Sequence, residues 1–236
     1  MCGHCGCQHE LNQHKDSKIV EIEQEILQEN QHLAKINRDF FHQRNILALN
    51  LVSSPGSGKT TLLVETIKQL KNEYSISVIE GDQQTDLDAE AIRALHVPVV
   101  QVNTGKTCHL NAQDVYRSIS KLALEDNSIL FIENVGNLVC PALFDLGETC
   151  KVVILSTTEG VDKPLKYPYI FNQSELMIIN KIDLLPHVTF DADRCIHYAK
   201  QVNATIQIIQ LSAVTLHGLN NWIRWINHRV TCKDYV

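Results

Sequence analysis

The sequence is poor in the residues that punctuate or dilute a fold. Its 236 residues include only 10 glycines and 6 prolines. Collagen-like repeats and low-complexity architectures are thereby excluded. It has no surplus of positive charge: 21 Lys plus Arg stand against 27 Asp plus Glu, a formal net charge of −6. A mildly acidic chain lacks the basic surface that non-specific nucleic-acid binding needs. It has no uninterrupted apolar run of about 18 residues, so no membrane-spanning helix is expected. The opening MCGHCGCQHE lacks the apolar core of a secretory leader. The expectation is a cytoplasmic protein with neither a membrane nor a nucleic-acid partner. What is present, 44% hydrophobic and 20% charged residues, matches an ordinary globular protein long enough for a real core.

The cysteines are unevenly placed. There are eight: Cys2, Cys5, Cys7, Cys108, Cys140, Cys150, Cys195 and Cys232. Thiols stay mostly reduced in the cytoplasm, and a disulfide scaffold would be short and secreted. A cluster at the start of such a chain points to metal or redox chemistry.

Residues 1–16 are polar, rich in Cys, Gly and His, and read as a flexible tail. Over 17–44, Ile19, Ile22, Ile26, Leu33, Ile36 and Phe40 recur at near-helical spacing behind a capping Ser17. That helix is expected to pack on the main domain, 45–236. From residue 45 apolar runs alternate with helical stretches. The strand candidates are NILALNLVSS, SISVIEGD, VPVVQVN, NSILFIENVG, CKVVILST, ELMIINKID and TIQIIQLSA. Strands that alternate with helices predict an α/β fold with a mostly parallel sheet flanked by helices. Ligands of such folds bind beyond the carboxyl ends of the strands, where the polar motifs fall.

Ser53-Ser54-Pro55-Gly56-Ser57-Gly58-Lys59-Thr60-Thr61 follows the first strand and opens a helix, the context a P-loop requires. Gly56 and Gly58 let the backbone approach phosphates, with Ser57 and Thr61 beside them, and the helix N-terminus offers positive dipole. Lys59 is placed for the β- and γ-phosphates and Thr60 for Mg²⁺. Ser53 departs from the usual glycine, which is tolerable if the strand runs one residue further before it turns. Asn180-Lys181-Ile182-Asp183 matches the guanine signature N-K-x-D. The Asp183 carboxylate can accept from the ring N–H and the amine of guanine. Adenine has no such donor pair at that edge. Ser212-Ala213 resembles the further loop that touches the guanine oxygen. Together these favour GTP over ATP.

Carboxylates at strand tips near a P-loop are natural partners of Mg²⁺. Asp82 is the first candidate and Glu133 the second, with Glu133 also placed to orient attacking water. Gly136 is a candidate hinge that senses the γ-phosphate. Cys2, Cys5 and Cys7 with His4 offer soft ligands suited to Ni²⁺ or Zn²⁺, and a redox Cys-x-x-Cys is the rival reading. Cys108, His109 and Cys140 fall in two loops at the same sheet edge. Three ligands are one short of a tetrahedral site, which a dimer would complete. The rival reading is an incidental Cys-His pair.

The combination of motifs resembles the hydrogenase nickel-incorporation GTPases of the HypB family. The matching pieces run from the N-terminal MCxxCxC through SSPGSGKTTLL, EGDQQTDLDA, TCHLNA, ENVGNLVCPALFDLGE and EGVDKPLKYP to NKID. The resemblance implies a SIMIBI-type G domain. It implies a slow GTPase, cycling between GTP and GDP, that carries nickel to the large-subunit precursor of [NiFe]-hydrogenase. It carries Cys2, Cys5 and Cys7 over as a tight nickel site. It carries Cys108, His109 and Cys140 over as a second site for nickel or zinc. It implies a GTP-dependent homodimer, the partner HypA and, for some members, the SlyD prolyl isomerase. The polyhistidine tract of some members is missing, which argues against bulk storage. Three other readings differ in class or target: a passive metal-binding protein with a degenerate P-loop, a related GTPase serving urease or a cobalamin enzyme, and a Ras-type signalling GTPase. The Ras type would carry DxxG where this chain has Glu133-Asn134-Val135-Gly136.

Overall fold

Each of the seven apolar runs forms a strand of one sheet. The computed structural model describes residues 7–82, 87–105 and 107–232 and, for residues 7–23 and 87, the backbone alone. The strands are β1 (Leu47–Ser53), β2 (Ile76–Asp82), β3 (Val99–Asn103), β4 (Ile129–Glu133), β5 (Cys150–Ser156), β6 (Leu176–Asn180) and β7 (Gln207–Gln210). Their order is β3-β2-β4-β1-β5-β6-β7, and every pairing is parallel. This all-parallel, helix-flanked sheet is the α/β fold that the alternation of strands and helices predicts. β1, β4, β5 and β6 are buried along their whole length. Helices cover both faces, so these strands read as unbroken apolar runs.

One face packs under α2 (Lys59–Leu70) and α8 (Leu219–Cys232), where Leu63, Ile67, Trp222 and Ile226 join the core. There the buried Trp222 indole donates to the Thr66 hydroxyl at 2.8 Å, so its polar edge is satisfied. The opposite face packs under α4 (Ala112–Ile119), α6 (Pro168–Asn172) and α7 (Ala192–Val202). The remaining helices, α3 (Leu87–Arg93) and α5 (Lys163–Lys166), are short. Neither α5 nor α6 was expected. Pro164 and Pro168 stand at first-turn positions, where a missing N–H costs nothing, so their prolines open helices that a periodicity search of this length cannot find.

The N-terminal helix is longer than its apolar period. α1 runs from Cys7 to Gln43, so its start lies ten residues before the expected boundary at Ser17. Residues 7–16 contain neither glycine nor proline, and no local signal stops the helix there. Further along, α1 is pinned by buried side chains. Asn37 Nδ2 donates to the carbonyls of Ala112 and Leu146, each at 2.9 Å. Asn30 Nδ2 donates to the carbonyl of Asp145, and its Oδ1 accepts the amide of Ala112, each at 2.8 Å. Gly147 is left-handed, and a Cβ there would lie 2.3 Å from the carbonyl of Ala34. α1 therefore holds the start of α4 and the 145–148 segment together. Those are the downstream ends of the loops that carry Cys108, His109 and Cys140. Among the described residues no helix is long and apolar enough to cross a membrane.

Candidate functional site

The phosphate loop begins where β1 ends. β1 continues through Ser53, which is buried and not left-handed, so the position does not require glycine. Gly56 and Gly58 have φ of 73° and 89°, a region glycine enters without strain. Gly58 precedes α2, and no side chain caps that helix. Its first turn lines a cavity of about 570 Å³ together with the loop, Glu80, Asp82, Asp88, Gly136 and Lys181. Open amides at a helix N-terminus fit a polyphosphate.

Lys59 and Thr60 converge on one carboxylate. Lys59 Nζ lies 2.8 Å from Glu133 Oε1, and the Thr60 hydroxyl donates to the same oxygen at 2.6 Å. Glu133 is 1% exposed, and its Oε2 is buried without a hydrogen-bond partner among the described residues. Beside it, in register on β2, is Glu80. Burial, reinforced by the charges of Glu133, Asp82 and Asp88 and opposed by Lys59, pushes the Glu80 carboxyl up to about 8. Glu80, unlike Asp82 and Glu133, carries no motif signal of its own. Asp82 ends β2 at the cavity wall. Gly136 lies against Pro55 of the phosphate loop, where a Cβ would come 3.0 Å from Pro55 Cα. The Lys163 ammonium, in a segment that had no assigned role, reaches the Ser54 hydroxyl at 3.1 Å.

The base-reading motif is locked to the phosphate loop. Asn180 Nδ2 donates to the carbonyl of Ser57 at 2.9 Å, and Lys181 Nζ to that of Gly56 at 2.7 Å. A Cβ on Gly58 would lie 2.6 Å from Asn180 Nδ2, so this close approach requires glycine. Asn180 Oδ1 accepts the amides of Lys181 and Ala213, which ties the Ser212-Ala213 loop to the motif. β7 stops at Gln210, short of the expected Ala213, and that leaves Ser212 and Ala213 in the loop. Asp183 Oδ1 is buried and has no partner among the described residues, and a guanine edge would satisfy it.

The soft ligands of the domain also meet. Cys108, His109 and Cys140 present ligand atoms within 4.8 Å of one another, with the two sulfurs 2.9 Å apart. Among the described residues this is the only group of three or more candidate ligands. The thiol of Cys140 is held above its ordinary value, first by its hydrogen bond with Cys108 and then by burial. Burial lowers His109, which favours the neutral imidazole a metal needs. His109 Nδ1 is buried with no hydrogen-bond partner among the described residues, and the ring lies tilted by 33° against Phe144 at 4.0 Å between centroids. An imidazole so oriented and two adjacent thiols fit a borderline-soft divalent metal. Cys150 and Cys195 are buried thiols raised to about 11 and about 12, suited to packing only. Cys2 and Cys5 lie outside the described residues, and of Cys7 only the backbone, at the start of α1, is described.

An all-parallel sheet with a phosphate loop interlocked with N-K-x-D defines a P-loop nucleotide-binding protein. The model of the CobW/HypB/UreG nucleotide-binding domain matches residues 47–210. Hydrogenase maturation factor HypB of Escherichia coli K12 is 56% identical over 209 residues, which cover 89% of this chain and 72% of the relative. HypB of Archaeoglobus fulgidus superposes with a TM-score of 0.81 at 37% identity, over 86% of this chain and 99% of that one. HypB of Helicobacter pylori, crystallised in complex with nickel, gives a TM-score of 0.81 at 33% identity, over 86% and 95%. The chain belongs to the HypB family of hydrogenase maturation factors.

Proposed function

We propose that the protein is a cytoplasmic GTP-hydrolysing metallochaperone that carries nickel to the large-subunit precursor of [NiFe]-hydrogenase. One observation carries the reading: the chain that leaves Glu133, the carboxylate beneath Lys59 and Thr60, leads within seven residues to Cys140 of the metal triad. Nucleotide and metal sites thus share a strand tip. The nickel complex of the Helicobacter pylori relative supports nickel as the cargo.

The residues divide the work. The amides of Gly56, Ser57, Gly58 and Thr61 hold the phosphates. Lys59 exchanges Glu133 for the β- and γ-phosphate oxygens, and Asn180, Lys181, Asp183 and Ala213 select and seat guanine. Thr60 and Asp82, with Glu133 beside them, are the groups to hold Mg²⁺, which when bound supplies positive charge to the phosphate oxygens. Glu133, released by Lys59, orients water for addition to the γ-phosphorus. The bridging P–O bond breaks, and GDP and inorganic phosphate leave. Among the described residues no arginine lines the cavity, and slow turnover is the expected consequence. Cys108, His109 and Cys140 hold nickel through two sulfurs and a nitrogen, with Zn²⁺ as the competing occupant. Three ligands leave the shell open for hand-off. Cys2, Cys5 and Cys7 form the second, tighter site. A HypA-type partner, a SlyD-type isomerase and a GTP-dependent homodimer complete the cycle.

The test is a nickel titration of the wild type and a Cys2→Ala/Cys5→Ala/Cys7→Ala variant, each with a GTP analogue and with GDP, alongside phosphate release from wild type and Lys59→Ala. Two nickel sites falling to one, nucleotide-dependent affinity and a hydrolysis rate abolished by Lys59→Ala are expected. Nickel binding without hydrolysis in the wild type would leave a passive metal-binding protein.

A further inference from the structure

We infer that Leu110 is the positioning residue through which the nucleotide loops set the geometry of the metal ligands. This rests on the coupled reading above and names the contact that carries it. Leu110 follows His109 directly and is fully buried. Two elements grip it, and both come from the nucleotide site. Its side chain lies on Gly81, between Glu80 and Asp82 at the tip of β2. A Cβ on Gly81 would come 2.7 Å from Leu110 Cγ and 2.9 Å from each of its methyl carbons. Gly81 has an ordinary backbone, so the missing side chain there makes room for Leu110 and serves no turn.

The second grip is polar. The backbone amide of Leu110 donates to Asn134 Oδ1 at 3.0 Å. Asn134 is fully buried and follows Glu133 directly. Its Nδ2 donates to Asn50 Oδ1 at 3.3 Å, and Asn50 Nδ2 donates to Glu148 Oε1 at 3.0 Å. The Leu110 amide is thus anchored through β1 to the 145–148 segment under α1. A shift of either strand tip, at Asp82 or at Glu133, must move Leu110 or break a buried contact. Close-packed interiors transmit such shifts and do not absorb them. His109 and Cys108 lie one and two residues upstream of that fixed point, and Cys140 follows the Glu133 tip on the other side. Movement of the two tips relative to one another changes the spacing of the three ligands.

The test measures nickel affinity by competition against a chromophoric chelator, in the full chain carrying Cys2→Ala/Cys5→Ala/Cys7→Ala. Saturating GTP analogue is compared with saturating GDP, and the thiolate-to-nickel charge-transfer band is recorded. With Leu110 intact the two nucleotides should give nickel affinities differing by about fivefold or more. Leu110→Ala should bring the ratio below about twofold and remove the nucleotide-dependent shift of the band. Leu110→Met, which refills the volume, should restore both. Gly81→Ala, which leaves Leu110 in the sequence and displaces it, should act like Leu110→Ala. A merely structural role would lower the melting temperature of these variants and leave the ratio unchanged. Folded Leu110→Ala and Gly81→Ala proteins that keep the full ratio overturn the assignment of Leu110 alone. Equal nickel affinities with Leu110 intact overturn the coupled reading itself, and the positioning role with it.

Discussion

The ammonium of Lys59 lies 2.8 Å from Glu133 Oε1, and both groups are almost fully withdrawn from water. Without nucleotide each neutralises the other, and the lysine is held where a phosphate would draw it away. Lys59→Ala should reduce GTP hydrolysis by at least about 100-fold, as phosphate-release kinetics at saturating GTP would show. It should also leave a buried carboxylate without its cation, which costs about 3 kcal/mol in denaturant unfolding of the nucleotide-free protein. Glu133→Gln removes that charge. It should lose hydrolysis comparably with a smaller loss of stability.

The Oδ1 of Asp183 is buried and has no partner among the described residues. A carboxylate accepts two N–H groups, and an amide accepts one and donates one. Asp183→Asn therefore faces the guanine amine with an amide donor. GTP affinity should fall about 10- to 100-fold while XTP, which carries a carbonyl in place of that amine, gains. Competition between the two nucleotides against a fluorescent GTP analogue checks the reversal.

Glu80 makes stability depend on pH. Its carboxyl rises from 4.5 to about 8 on folding. The folded state therefore binds this proton more tightly than the unfolded chain. The resulting stability is full below pH 4.5 and is lost as pH rises through about 8. Nucleotide-free, Mg²⁺-free protein should lose about 3 kcal/mol between pH 6 and 9 from this group. Glu80→Gln should flatten that part of the curve in urea melts at each pH.

At the metal triad the thiol of Cys140 is raised and the imidazole of His109 lowered. Near pH 7 the imidazole is already neutral, and the thiol must give up its proton to bind. Nickel affinity of this site, measured in the Cys2→Ala/Cys5→Ala/Cys7→Ala variant, should therefore rise by at least about tenfold per pH unit up to the thiol range. Cys140→Ser should weaken nickel more than 100-fold at pH 7, read by chelator competition.

Much of this is legible in the amino-acid sequence. The seven strands were apolar runs because helices bury both faces of the sheet, and the phosphate and guanine motifs sat at strand ends as parallel topology requires. Ser53 could stand in a glycine position because β1 runs through it. The proline-started helices α5 and α6 were not legible, nor was the upstream start of α1, because neither depends on apolar periodicity. Glu80 and Lys163 gained their places only through partners distant in sequence, Glu133 across the β2–β4 register and Ser54 across the P-loop. The contact of Leu110 with Gly81 has no sequence signal at all, since a leucine after Cys-His reads as core and a glycine before Asp82 reads as a turn. The register of β2 on β4 and the packing of the 108–110 loop across them create that contact.

The central claim is that nickel and nucleotide are linked, and linkage must act in both directions. The most direct measurement is the affinity for a GTP analogue and for GDP with the Cys108–His109–Cys140 site empty or filled by one equivalent of nickel, in the variant whose tail cysteines are alanine. The account predicts that nickel changes the ratio of the two nucleotide affinities by the same factor by which the nucleotides change nickel affinity. Nucleotide affinities identical with and without nickel would contradict it.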